Sequence, residues 1–313
     1  MKKLFIGKFI KEMTPIARYR DMLDGYELVS AIPVKGFGWE NKDVCILDGG
    51  VPTGFLLGTS ERCGTVNFDA EFANETVICL DSSNVPTVKN RELRKLPVPI
   101  VMVMGQGENC QKFELQLALR KAFLREGYKV SQFGTKAYSK LFGFNPLPVP
   151  PDVSMWKKIY LYNDLFYQTC IQENPDVMII GAPGGVMPIN TYEDGLFGET
   201  ALALATAAKP DVAVLSCYFV EASNEYFDLQ RQYARFRLGA DEIIFHSSNT
   251  KFVEDLYRKE LGYLTLDSSF VMNKLNAFAY DDNVNLFNVF VPDLCERACH
   301  GIIEKLQSNI ELL

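Results

Sequence analysis

The chain is expected to be an α/β protein of two consecutive units, each a mainly parallel sheet with flanking helices. Three observations predict this. Short runs rich in Val, Ile and Phe alternate with helical stretches, an order that builds parallel sheets. The apolar run Val98 to Met104 breaks into a glycine-containing loop and then an amphipathic helix. At 313 residues the chain is long enough for two domains. Pro86 and Pro97, around a charged stretch, mark the linker, so the units are residues 1–95 and 96–313.

In the first unit, Lys3 to Phe9 and Tyr26 to Pro33 read as strands, with a helix from Met13 to Leu23 between them. Thr14 and Pro15 supply its cap and first turn. Asp43 to Leu47 and Glu75 to Leu80 read as further strands. They end in Asp48-Gly49-Gly50 and Asp81-Ser82-Ser83, polar turns at the sheet's carboxyl edge or plain turn residues. Lys35-Gly36-Phe37-Gly38-Trp39 is an exposed glycine-aromatic loop.

In the second unit, a strand to Met104 leads through Gly105, Gln106, Gly107, Glu108, Asn109, Cys110 and Gln111 to Lys112. A helix from Phe113 to Gly127 follows, with Phe113, Leu117, Leu124 and the alanines on its apolar side. Lys129 to Phe133 is a strand ending near Lys136, and the proline-rich 145–152 suits neither a helix nor a central strand. Then come a helix 155–173, a strand 176–180 running into Gly181-Ala182-Pro183-Gly184-Gly185, and an acidic loop with Glu193, Asp194 and Glu199. A helix 200–208, a strand 211–217, a helix 223–238 and a strand 242–246 precede Ser247-Ser248-Asn249-Thr250. That polar loop either bonds a base or caps a helix 250–260. A strand 286–291 and a helix 294–307 close the chain.

Composition narrows the function. A net charge of -7 and no Lys/Arg-rich run argue against a nucleic-acid partner. No apolar run approaches the roughly 20 residues that cross a bilayer, and the opening residues lack the form of a secretion signal. The expectation is a cytoplasmic protein with reduced cysteines and no membrane partner. Cys295 and Cys299, one turn apart beside His300, read as a buried helix face ahead of a metal site.

The chemistry is concentrated at 105–112. A buried strand, a glycine loop and a helix opening with lysine form the geometry that cradles phosphate, through amide N–H groups, the helix dipole and the ammonium charge. The pattern is degenerate, because Gln111 stands where glycine is usual and Phe113 where Ser or Thr is usual.

These residues carry two resemblances. The spacing from Gly105 to Lys112, with Gly181-Ala182-Pro183-Gly184-Gly185, resembles the dethiobiotin-synthetase type of P-loop NTPase. The second unit is therefore expected to be P-loop NTPase-like and the first Rossmann-like. Ile16-Ala17-Arg18-Tyr19-Arg20, Pro33-Val34-Lys35-Gly36-Phe37-Gly38 and Asp48-Gly49-Gly50 resemble a clostridial family of peptide maturation system proteins. The resemblances imply ATP or GTP on residues 105–113 with Gly181, Gly184, Gly185 and Asn249. They imply catalytic roles for Lys112, Lys136 and Glu114, a peptide or carrier-protein partner in natural-product biosynthesis, and a homodimer. Phe113 and Ile180 replace two usual Mg2+ ligands, which leaves Glu114, or the cluster Glu193, Asp194 and Glu199, for that ion. An NTP-dependent enzyme, an inert nucleotide-binding scaffold and an enzyme of another phosphorylated ligand all stay open.

Overall fold

The structure, a computed structural model, describes residues 1–59, 92–190, 194–255, 260–277 and 284–310. Strands β1 (Lys2–Phe9) and β2 (Tyr26–Pro33) pair in parallel, with Lys2 opposite Tyr26. Between them lies α1 (Thr14–Arg18), with proline in its first turn.

The expected strand over 43–47 is instead a turn leading into α2 (Cys45–Asp48). The Asp43 carboxylate is the cause. It accepts the N–H of Cys45 at 2.8 Å, of Thr53 at 3.1 Å and of Gly54 at 2.7 Å, and so folds the chain back. The expected strand 75–80 and the turn 81–83 lie outside the described residues.

The second unit opens with β3 (Ile100–Gly105), α3 (Lys112–Arg125), β4 (Val130–Gly134), β5 (Asn145–Pro146), α4 (Met155–Glu173) and β6 (Val177–Gly181). It continues with α5 (Glu199–Ala207), β7 (Val212–Cys217), α6 (Asn224–Leu238) and β8 (Ile243–Ser247). The remainder is β9 (Thr250–Asp255), β10 (Glu260–Thr265), α7 (Ser268–Ala277), β11 (Leu286–Phe287) and α8 (Pro292–Ile310). Seven strands form one parallel sheet in the order β11-β8-β7-β3-β6-β4-β5. The proline-containing β5 takes the edge, where its missing N–H costs nothing.

Every residue of β3 is buried, because the strand sits at the centre with helices on both faces. Its side chains alternate. Met102 and Met104 join the core that includes residues of α4, α5 and α6, and Val101 and Val103 join the core of α3 and α8. Central position aims the loop after β3 at the carboxyl edge, where ligands bind in open α/β sheets.

Two helical readings change. Leu124, expected on the inner side of α3, is 46% exposed. Leu115, Leu119 and Phe123 face the sheet, while Phe113 and Leu117 face the first unit. The expected helix 250–260 is the antiparallel pair β9–β10, in register from Thr250 opposite Thr265. Thr250 is buried while Lys251 and Val253 are exposed, a period of two. The last strand is shorter than expected, two residues of the six.

Residues 1–59 share an apolar cluster with the second unit. Leu4, Phe9, Ile16 and Leu28 pack in one group with Phe113, Leu117, Phe142 and Phe144. Cys299 is buried in the core of α8, and His300 turns outward to Glu304 at 3.3 Å. Among the described residues no helix is long and apolar enough to cross a membrane.

Candidate functional site

The loop between β3 and α3 is held from beneath by side chains of neighbouring strands. Ser216, at the end of β7, gives its hydroxyl to the carbonyl of Cys110. Its oxygen lies 2.9 Å from His246 Nδ1, which makes Nδ1 the protonated nitrogen. Burial holds the His246 pKa down at about 3, so the ring is neutral. Thr250 Oγ1 donates to the Asn109 carbonyl at 2.7 Å, and Tyr218 OH to that of Glu108 at 2.5 Å. The Gln106 side chain bonds the Tyr218 N–H at 3.0 Å and the Tyr226 hydroxyl. The Cys110 thiol is buried and donates to the Gly107 carbonyl at 3.1 Å, so it packs under the loop.

These bonds take up carbonyls and leave amides. Among the described residues, the N–H groups of Gly107 to Phe113 have no hydrogen-bond acceptor. Asn109 and Gln111 take left-handed backbone angles, φ 56° and 61°. Such a chain of turns points successive N–H groups into one concavity. Lys112 Nζ donates to the Gly107 carbonyl at 2.9 Å and to the Gly184 carbonyl, both neutral. No described carboxylate pairs with it.

Glycines of the second loop allow the close approach. A Cβ on Gly185 would stand 2.5 Å from the Gln106 carbonyl oxygen, and one on Gly181 would meet the Gln116 amide at 2.1 Å. The N–H of Val186 bonds the Gly105 carbonyl at 2.9 Å and locks the two loops together.

Residues 108–114 line a cavity of about 90 Å3 with Lys136, Tyr138 and Thr250. The first unit supplies the opposite wall, with Lys11, Glu12, Thr14 and Asp48. Lys11 donates to Thr265 Oγ1 at 2.5 Å. Burial lowers the Lys11 pKa, against the pull of Glu114, Glu12 and Asp48. Burial raises that of Glu114, with Asp48 adding and its own N–H, Lys136 and Arg18 opposing. Asp48 itself is spent on a buried pair with Arg18 at 2.8 Å.

The sequence-predicted residues therefore divide. Lys112, Lys136, Glu114 and residues 108–113 line one cavity, while Gly105, Gly181 and Gly185 act by permitting loop contact. Asn249 does not face a ligand. It is fully buried, its amide donates to the Gly49 carbonyl at 3.0 Å, and its carbonyl accepts from Asn288 at 2.8 Å. Among the described residues the acidic cluster forms no metal site either. Asp194 accepts the Leu196 N–H at 2.8 Å, and Glu199 pairs with Lys158 at 3.0 Å; Glu193 lies outside the described residues.

Phe113 packs edge-on against Tyr138 at 5.2 Å, and Ile180 is fully buried, so neither offers an oxygen to a cation. Among the described residues no three acidic, His or Cys side chains are grouped to hold a metal. Of the carboxylates expected to hold magnesium, Glu114 lines the cavity beside Lys112.

Sequence reasoning missed Lys11, Ser216, Tyr218 and His246. The only signal was polar residues at the ends of apolar runs.

No protein-family model matches the chain, and no curated protein does. Among solved structures, the chain is similar to a DUF1611 family protein from Anabaena variabilis. They share 12% identity and a TM-score of 0.52, over 96% of this chain and 100% of that one. Looser overlaps include a cobyrinic acid a,c-diamide synthase from Mycobacterium smegmatis, at 9% identity and TM-score 0.38 over 68% of this chain and 97% of that one. Another is a nucleotide-binding protein from Archaeoglobus fulgidus, at 12% and 0.32 over 64% and 86%. The first likeness shows the fold: an α/β chain with a large parallel sheet and flanking helices.

Proposed function

We propose that the protein binds a nucleotide, ATP or GTP, with its phosphates on the loop Gly105–Lys112. One observation carries the reading. The Lys112 ammonium is held by two neutral carbonyls beside a run of amides that lack acceptors. A polyphosphate supplies the missing charge and the missing acceptors together. Lys136 and Lys11 stand around the same cavity and add positive charge. Magnesium, when bound, would rest on Glu114 and neutralise phosphate charge. Lys112 orients the phosphates, and the amides of 107–113 fix them.

Turnover is the second question. Phe113 and Ile180, apolar where the resembled family keeps metal ligands, favour a binding protein that positions a partner without hydrolysis. The peptide or carrier-protein partner, the place in a maturation system and the homodimer rest on the sequence resemblance alone. The division at residue 95 is likewise a proposal.

Calorimetry with ATP, GTP and inorganic tripolyphosphate, each in Mg2+ and in EDTA, tests the reading. Saturable binding that survives EDTA, without phosphate release, supports a nucleotide-binding scaffold. Mg2+-dependent release of phosphate makes it an enzyme. No binding of any of the three sinks the nucleotide assignment.

A further inference from the structure

With Asn249 buried, the base of a nucleotide needs another place, and a second cavity adjoins the loop. It measures about 280 Å3 and lies against Gln106. Met187, Ile189, Tyr218, Tyr226, Gln230 and Phe252 line most of it. Val220, 43% exposed, stands on its rim. The cavity touches the phosphate loop directly, since a Cβ on Gly107 would stand 2.5 Å from Tyr218 OH and 3.2 Å from Ile189 Cδ1.

Its chemistry is specific. Three aromatic residues, Tyr218, Tyr226 and Phe252, contribute to the wall, and Tyr218 and Phe252 already meet edge-on at 5.4 Å. Flat π-faces at a cavity wall suit a planar ring. Gln230 Oε1 is buried with no hydrogen-bond donor among the described residues. A buried amide oxygen without a donor costs free energy that a ligand N–H would recover. Met187 and Ile189 belong to the loop that follows the glycine cluster. The wall is therefore continuous with the loop that accepts from Lys112 at Gly184.

We propose that this cavity binds the aminopurine ring of the nucleotide, stacked among Tyr218, Tyr226 and Phe252 and donating an N–H to Gln230. This rests on the phosphate reading above and adds the base site to it. The ring and the phosphates would then lie on the two sides of Gly107.

Val220→Trp fills the cavity from its rim without touching the core, and Gln230→Leu removes the acceptor at nearly constant size. The measurement is calorimetry of adenosine, guanosine, ATP and tripolyphosphate on wild type and both variants, with circular dichroism to confirm folding. Stacking and the hydrogen bond together predict at least about a tenfold loss of ATP affinity in Val220→Trp. Tripolyphosphate binding should stay within about twofold. Nucleoside binding that both variants abolish supports the proposal. Unchanged ATP affinity in folded Val220→Trp overturns it and leaves the phosphate site standing. Nucleoside binding without tripolyphosphate binding overturns the phosphate reading instead and keeps the ring cavity.

Discussion

Ser216 and His246 are cross-strand partners in register on β7 and β8, and their side chains lie 2.9 Å apart beneath the loop between β3 and α3. The serine passes the contact on to the Cys110 carbonyl. A buried histidine thus fixes the loop through one hydroxyl, and its burial requires the ring to be neutral.

That requirement gives a pH dependence. The unfolded chain binds a proton on His246 below about pH 6.5, but the folded chain resists until about 3. Folding therefore releases this proton, and stability falls as pH drops from about 6.5 towards 3. The loss at pH 5 is about 2 kcal/mol. Urea denaturation of wild type and His246→Gln at pH 7.5 and 5 checks it, with a smaller pH effect in the variant. An equal loss in both removes His246 as the cause.

Lys112→Ala should leave the melting temperature within a degree or so, because the side chain bonds only two carbonyls and fills no apolar core. Nucleotide affinity should fall tenfold or more, the worth of one charge-assisted bond at about 1.5–3 kcal/mol. Titration calorimetry reads the second and differential scanning fluorimetry the first.

Gly185→Ala places a methyl against backbone, 2.5 Å from the Gln106 oxygen and 3.1 Å from the Met187 oxygen. Neither neighbour is a side chain that can swing away. The two loops must part, so the variant should lose tripolyphosphate binding even where circular dichroism still shows a folded chain. Intact binding would mean that the contact between the loops is dispensable.

Asp48→Ala strands a guanidinium whose side chain is 9% exposed. Removing one partner of such a pair costs about 3–5 kcal/mol. The double change Arg18→Met with Asp48→Leu should recover much of this, since no lone charge remains buried. Denaturant midpoints at constant slope read both effects.

The centre of the fold was legible because its signals are local. A seven-residue apolar run cannot be solvated, glycines after it demand a turn, and α4 shows helical periodicity over its whole length, Met155–Glu173. What failed depended on distant partners. Asn249 looks like a loop residue beside Ser247 and Ser248, yet its amide is taken by Gly49, 200 positions earlier. The hairpin at Thr250 was masked by a Ser-Ser-Asn-Thr run that also suits a helix cap. Asp43 turned a short apolar run into a bend by collecting three N–H groups, a choice that depends on Thr53 and Gly54 ten residues on.

The carbonyl of Gly49 receives two donors from the far end of the chain, Asn249 Nδ2 at 3.0 Å and the Ser268 amide at 2.7 Å. A Cβ there would overlap the Leu266 oxygen at 2.0 Å, at a φ of 69° that only glycine holds comfortably. Any attempt to express residues 96–313 by themselves would strip away this clasp and leave Phe113, Leu117 and Phe144 facing water. The amino-terminal segment is thus a fitted cover whose removal should yield an aggregating fragment in place of a free-standing half.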